Sequence, residues 1–307
     1  MNNFNIIMYH QIIKSKDKSI SLKGLPYKDF LRQIKFFKKK FNILTPSKFY
    51  EKIERKNIKN NDCILTFDDG YKTNITNVFP VLKKFNIKAF FFPIVDGSLK
   101  KKIITVNKVQ LILSHYKNKK KLFNIIKKLI KKYNKKTYNN LEKIILKINT
   151  KNVYDNYMTI IIKRLLQRYL KKELRNKIIS ILYKFYSKEK YSDLATKLYM
   201  NKKDLIILKK NNHEIGMHSN SHPWLEDLNY QDQLKEIKKN FKIFKKNRFI
   251  GNKWSFCYPY GSYNKNTLKI LKRMKCSLAF TVNNKPNNIK KFNRLELNRE
   301  DCNNYLG

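Results

Sequence analysis

Five histidines and 22 acidic residues are spread over 307 positions, and a few of them fall where they could act together. Asp68 and Asp69 close the run Cys63–Phe67 and are followed by Gly70, while His218 and His222 stand four residues apart in HSNSHP. Two histidines and one carboxylate make a three-ligand metal set that leaves a coordination position for water, the pattern of a hydrolytic zinc centre. A second carboxylate beside it can stay free as a general base. Neighbouring residues of a regular strand face opposite ways. Asp68 and Asp69 can therefore serve one site only where the strand ends, and Gly70 permits that departure. Four extended residues span about 13 Å, too far for two ligands each about 2 Å from one ion. The chain must curl after His218, and Asn220, Ser221 and Pro223 are turn-forming residues. Taken singly, each signal has a plainer reading: Asp-Asp-Gly as a simple turn, the histidines as ordinary loop residues.

These groups need a frame. Seven β-branched or aromatic runs read as strands: Phe4–His10, Cys63–Asp69, Lys88–Ile94, Glu214–Ser219, Trp254–Tyr260, Leu278–Asn283 and Phe292–Leu297. Helical spacing lies between them, as in Tyr27–Phe41 and Leu234–Phe244. Thr45–Pro46 places an N-cap before a proline at the first helical position, and Asn229 with Asp232 three residues on marks another start. Alternating strands and helices predict an α/β fold. His10, Asp68, Asp69, His218 and Tyr258–Gly261 all fall at the C-terminal ends of strands, which is where a (β/α) barrel gathers its catalytic groups. The expectation is a distorted barrel of about seven strands formed by residues 1–97 and 201–307.

Residues 98–200 break the rhythm and form a helical insertion. VNKVQLILSHY, KKLFNIIKKLIKKY, MTIIIKRLLQRYLKKEL and NKIISILYKFY all carry helical spacing, and Lys100–Met200 holds 28 basic against 5 acidic residues. Overall, 69 basic residues face 22 acidic ones, a net charge of +47, yet 42% of the chain is hydrophobic, enough for a core and too much for a disordered basic tail. Sixty of the cations are Lys and nine are Arg. Nucleic-acid readers lean on the planar fork of Arg, which argues against that class of partner. Lys, Asn and Ile share A/T-rich codons, so two readings of the charge stand, base-composition bias or a surface selected for polyanions or anionic lipid. Four scattered cysteines without a C-x-x-C pair fit a reducing compartment. No run of about 18 apolar residues occurs, and the opening MNNFNIIMYHQIIKS lacks the pattern of a secretory signal. The expected location is cytoplasmic, with the basic insertion as a candidate peripheral contact to an anionic membrane face.

TFDDG (Thr66–Gly70), HSNSH (His218–His222) and YPYG (Tyr258–Gly261), with the text around them, resemble the polysaccharide deacetylases, the NodB-type carbohydrate esterases of family 4. The resemblance covers roughly residues 1–97 and 200–300. It implies a distorted (β/α) barrel and a metal-dependent hydrolase that removes N- or O-acetyl groups from a sugar or surface-glycan precursor. It further implies one divalent ion, zinc first and nickel, cobalt or iron as alternatives, on Asp69, His218 and His222. Asp68 would be the base, and the Tyr260 backbone N–H would hold the oxyanion.

Two departures are visible. Many members carry an Arg three residues before the Tyr of YPYG, where this chain has Cys257. Many also have a late Leu-x-His acid, where this chain reads Arg294-Leu295-Glu296-Leu297. Tyr9-His10 matches the early Tyr-His of the poly-N-acetylglucosamine deacetylase branch, which makes His10 the expected acid. Arg294 is the expected partner of Asp68, and Trp224 and Tyr258 are candidate sugar contacts. His213 and His115 read as structural. A deformylase of lipid-linked amino sugars and a catalytically silent glycan-binding module are the competing readings.

Overall fold

The computed structural model describes residues 2–14, 22–148, 155–184 and 191–305. The chain forms two compact units: Met1–Lys18, Lys23–Lys102 and Ser192–Gly307 make the first, Ser19–Leu22 and Ile103–Tyr191 the second.

The first unit is built on parallel strands. We label them β1 (Asn3–Tyr9), β2 (Asp62–Asp69), β3 (Phe90–Pro93), β4 (Glu214–Ile215), β5 (Ser255–Cys257), β6 (Leu278–Phe280) and β7 (Glu300–Asp301). β2 is buried along its whole length, as expected of a parallel strand covered on both faces. It pairs with β1, placing Phe67 beside Tyr9, and with β3, placing Asp68 beside Phe92. β3 pairs in turn with β4. At Gly216 the chain changes partner: the Gly216 N–H bonds Phe91, whereas the Met217 N–H bonds Ser255 and leads to β5. β5 pairs with β6, single bridges join Met217 to Phe256 and Phe280 to Leu297, and β7 returns parallel to β1. The pairings thus follow one another around a circuit, with full ladders on one side and single bridges on the other.

Several expected strands are shorter. Pro259 and the left-handed Tyr260 end the run that was expected to reach residue 260. Expected strand Phe292–Leu297 survives as hydrogen bonds between residues 279–281 and 294–297. The helices start where their caps predict: Thr45 accepts from the Lys48 N–H and Asn229 from the Asp232 N–H.

Alternation along the strands decides what reaches the site. Phe4, Ile6, Ile64, Phe90, Phe92, Cys257, Phe280 and Leu297 share one buried cluster, joined at one end by Phe49, Tyr50 and Ile53 of helix Pro46–Glu54. The intervening residues Ile7, Tyr9, Leu65, Phe67 and Phe91 pack instead with Phe30, Ile34 and Phe37 of helix Tyr27–Lys40. The first set faces the interior of the circuit. Continuing it by twos toward the C-terminal ends gives His10 after Ile6, Asp68 after Ile64 and Arg299 after Leu297.

The second unit is helical, with Thr105–His115, Lys119–Tyr133, Tyr157–Arg164 and Lys172–Tyr183 as its longer segments. Leu122, Ile126 and Ile130 form the buried stripe of the second. The last two residues of the expected stretch NKIISILYKFY lie outside the described residues. No described helix is long and apolar enough to cross a membrane.

A Cβ on Gly216 would stand 2.2 Å from Phe92 Cε1 and 2.5 Å from Ser255 Oγ. Gly216→Ala should therefore lower the unfolding free energy by about 1–3 kcal/mol, read from urea midpoints. An unshifted midpoint would contradict this close approach.

Candidate active site and metal centre

Asp68 is the last regular residue of β2, interior-facing and 2% exposed. A carboxylate so buried needs compensation, and Arg299 supplies it through two parallel hydrogen bonds, Nη1 to Oδ1 at 2.8 Å and Nη2 to Oδ2 at 2.7 Å. Arg299 is itself fully buried. Its Nε donates to the Thr281 carbonyl at 2.7 Å, and Nη1 also donates to Thr66 Oγ1 at 3.1 Å. Nη2 lies 3.1 Å from Cys257 Sγ, and that thiol stands 3.4 Å from Asp68 Oδ2. Burial pushes the Cys257 thiol up, so it stays a protonated donor. Burial alone would raise Asp68 as well, but the Arg299 guanidinium overrides it and holds the carboxyl below the ordinary range.

Asp69 would point away from Asp68 if the strand continued. Instead its φ is +67°, a left-handed turn followed by Gly70 at +70°, and the carboxylate swings toward the histidines. Its Oδ1 lies 3.4 Å from His218 Nε2 and 3.5 Å from His222 Nε2. The two ring nitrogens are 3.2 Å apart. The expected curl after His218 is present: Ser219 and His222 both have left-handed φ, at 62° and 60°. Ser219 Oγ accepts the His222 N–H at 2.9 Å, and Glu236 accepts from the Ser221 N–H at 2.5 Å and from its hydroxyl at 3.0 Å. His218 Nδ1 is 2.8 Å from the Cys257 carbonyl. A carbonyl only accepts, so Nδ1 carries a proton, and Nε2 is the nitrogen turned toward Asp69 and His222.

These three donors fit a metal ion. Ligands about 2.0–2.1 Å from a tetrahedral centre stand about 3.3–3.4 Å apart, which matches the triangle of 3.2, 3.4 and 3.5 Å. Asp69 Oδ1 is buried and receives no hydrogen bond, a costly state for a carboxylate unless a cation compensates it. Burial pushes His222 down to about 3, keeping it neutral as a ligand must be. Asp68, His218 and Cys257 also converge, but Arg299 occupies the Asp68 carboxylate and the Cys257 thiol stays protonated. The Asp69 set is the one open to an ion.

His10 stands at the mouth, its side chain 48% exposed and its Nε2 3.9 Å from Asp68 Oδ2. Tyr260 follows Pro259 in a left-handed conformation, φ 58°. Its ring packs edge-on against His222 and stacks on Trp224 at 4.4 Å. Asp68, Asp69, His218, His222, His10, Tyr260 and Trp224 therefore come together.

Two expected residues do not join them. Tyr258 is fully buried, stacks on Tyr263 and donates its hydroxyl to the Leu295 carbonyl at 2.7 Å, so it is a core residue. Arg294 is exposed and lines a cavity of about 540 Å³ with Tyr50 and Phe292 at the end where the strands begin. It lies five residues, about 16 Å of extended chain, before the residue that reaches Asp68. Arg299 is the partner, and alternation from the buried Leu297 is the signal that points to it. His213 is structural, accepting the Ala89 N–H at 3.2 Å, with burial and Lys88 pushing it down to about 4. His115 ends a helix of the other unit.

The sequence model described as "Polysaccharide deacetylase" matches residues 55–136 and 171–279, more than half of the chain. The chain belongs to the polysaccharide deacetylase family. The match takes in parts of the helical unit that the motif resemblance leaves aside. Among curated proteins, the polysaccharide-deacetylase-type protein YxkH of Bacillus subtilis is 35% identical over 91 residues, spanning 29% of this chain and 31% of that relative. Among solved structures, the Streptococcus pyogenes deacetylase PplD in complex with acetate superposes with a TM-score of 0.59 at 17% identity, covering 97% of this chain and 92% of its own. IcaB from Ammonifex degensii gives 0.59 at 14%, covering 98% and 91%. A de-N-acetylase from Aggregatibacter actinomycetemcomitans gives 0.55 at 12%, covering 98% and 95%. At these identities the superpositions speak for the fold.

The buried pair sets a stability prediction. Arg299→Ala leaves Asp68 buried without its cation and should cost about 3–5 kcal/mol in denaturant unfolding; a loss under 1 kcal/mol would show that the fork does not hold Asp68. Because the fold depresses Asp68, the pair's contribution is complete above its unfolded pKa of about 3.9. It fades as the pH falls through the lower folded value, a dependence the variant should lack.

Proposed function

We propose that this protein is a metal-dependent hydrolase that removes an acetyl group, in the first instance from the nitrogen of an amino sugar, in a glycan or glycan precursor. The observation that carries this reading is the Asp69–His218–His222 triangle set beside a carboxylate fixed by Arg299. A divalent ion on those three residues, zinc by the donor set of two nitrogens and one oxygen, would polarise the acyl carbonyl and acidify a water.

The chain's own groups do the rest. Asp68 receives the proton of the attacking water. Arg299 keeps its two oxygens fixed and ionised, so no reorientation is needed as the proton arrives. The Tyr260 N–H stands in a turn that Pro259 and Gly261 fix, and it is assigned to the developing oxyanion. His10, half exposed at the mouth, gives a proton to the sugar nitrogen, which otherwise departs as a poor anion. Trp224, stacked on Tyr260, offers an aromatic edge to a sugar ring.

The decisive test combines elemental analysis with product analysis. The purified chain should hold about one equivalent of a divalent metal, and His218→Ala should lose it. Acetate should be released from N-acetylated amino-sugar oligomers; formate from N-formyl sugars alone would mark a deformylase instead. Asp68→Asn should keep the metal and lose turnover by about 10²–10⁴-fold, and normal turnover would remove Asp68 as the base. A metal-free, inactive parent after reconstitution would favour the silent glycan-binding reading.

His10→Ala is expected to slow turnover within the same range, about 10²–10⁴-fold, with metal content unchanged. Turnover equal to the parent's would take His10 out of the mechanism.

A further inference from the structure

We propose that a cavity of about 550 Å³ beside the candidate metal centre is an anion subsite that takes a phosphate or diphosphate group carried by the sugar substrate. Its walls come from two segments. One is the turn after β3, with Ser98, Lys100 and Lys101. The other is Asn201, Lys202 and Lys203 at the start of helix Lys202–Lys210.

Both segments are bonded to residues that neighbour the metal triangle in sequence. Asn220, between His218 and His222, accepts the Asp96 N–H at its carbonyl, at 2.9 Å, and Lys100 Nζ at its side-chain oxygen, at 2.7 Å. The carbonyl of Gly70, directly after Asp69, accepts the Met200 N–H at 2.8 Å. Ser98 Oγ lies only 2.9 Å from where a Cβ on Gly70 would stand. Each wall is thus one or two residues from a ligand-bearing segment.

The charge around the cavity is one-sided. No carboxylate lines it. Asp96 is paired with Lys100 at 2.7 Å, and Asp204 is taken by Lys72 at 2.7 Å and by the Asn201 cap. Lys101, Lys202 and Lys203 make no ion pair among the described residues. A concave site with three uncompensated ammonium groups at the N-terminal turn of a nine-residue helix suits a multiply charged oxyanion. Lysines are abundant elsewhere on this chain, and Lys120, Lys121 and Lys128 line a second cavity of about 400 Å³ on helix Lys119–Tyr133, which makes that helix the control. The substrate part of this proposal rests on the deacetylase reading; the anion binding does not.

The test separates the two. Inorganic pyrophosphate is titrated calorimetrically, at near-physiological salt, into the full chain, a Lys202→Ala/Lys203→Ala variant, and a control Lys120→Ala/Lys121→Ala variant altered on the basic helix Lys119–Tyr133. One saturable site is expected in the parent, weakened more than tenfold in the first variant and unchanged in the control. No saturable site, or equal weakening in both variants, would overturn it. In the second arm, acetate release from a nucleoside-diphosphate N-acetylhexosamine is compared with release from a neutral N-acetylglucosamine oligomer. The first variant should raise KM at least tenfold for the phosphorylated substrate alone, with kcat kept. An unchanged KM for that substrate would overturn the substrate assignment and leave free phosphate as the ligand. Selective loss of pyrophosphate binding with no acetate released from either sugar would break the deacetylase reading while the anion site stood.

Discussion

An aspartate and an arginine with almost no exposure, locked by two hydrogen bonds in the interior of a parallel β circuit, set the terms for everything around them. Neither charge could be left there alone at tolerable cost. Together they tie β2 to the segment that closes back on β1, and Arg299 carries the tie to Thr66, Thr281 and Cys257 as well. A larger side chain at position 257 would compete for the space that the guanidinium fills. The small buried thiol and the Arg from another segment belong to one arrangement.

That arrangement bears on how the chemistry is divided. A carboxylate held below its ordinary pKa is a reliable acceptor at neutral pH and a weak one. The strength must come from making the water acidic, which is the work of the neighbouring donor triangle. Asp68 and Asp69 are adjacent in sequence but face different partners. The left-handed φ of Asp69 is what separates a guanidinium-bound carboxylate from one directed at the histidines.

Much of this was legible in the residues. The C-terminal ends of the expected strands predict the placement of His10 and Asp68, and the need for a curl after His218 is met by the turn at Ser219. Sequence patterns were silent where packing decides. Tyr258 sits next to a catalytic-looking turn, yet its hydroxyl finds a buried carbonyl. Arg294 offered the right charge five residues too early, because extended segments of two or three residues leave little period to count. Single bridges around β5 and β6 also made strand lengths hard to foresee, since hydrogen bonds there are shared with changing neighbours.

The bond between Arg299 and Asp68 joins positions 231 residues apart, a span that takes in residues 103–191 of the helical unit. Contacts within helices form over three or four residues, whereas a contact this distant must wait for the intervening chain to be gathered. On loop-closure grounds the helical unit can acquire its structure while Asp68 still lacks its cation. The contact that equips the base thus belongs, with the return of β7 to β1, among those that close the longest stretches of chain.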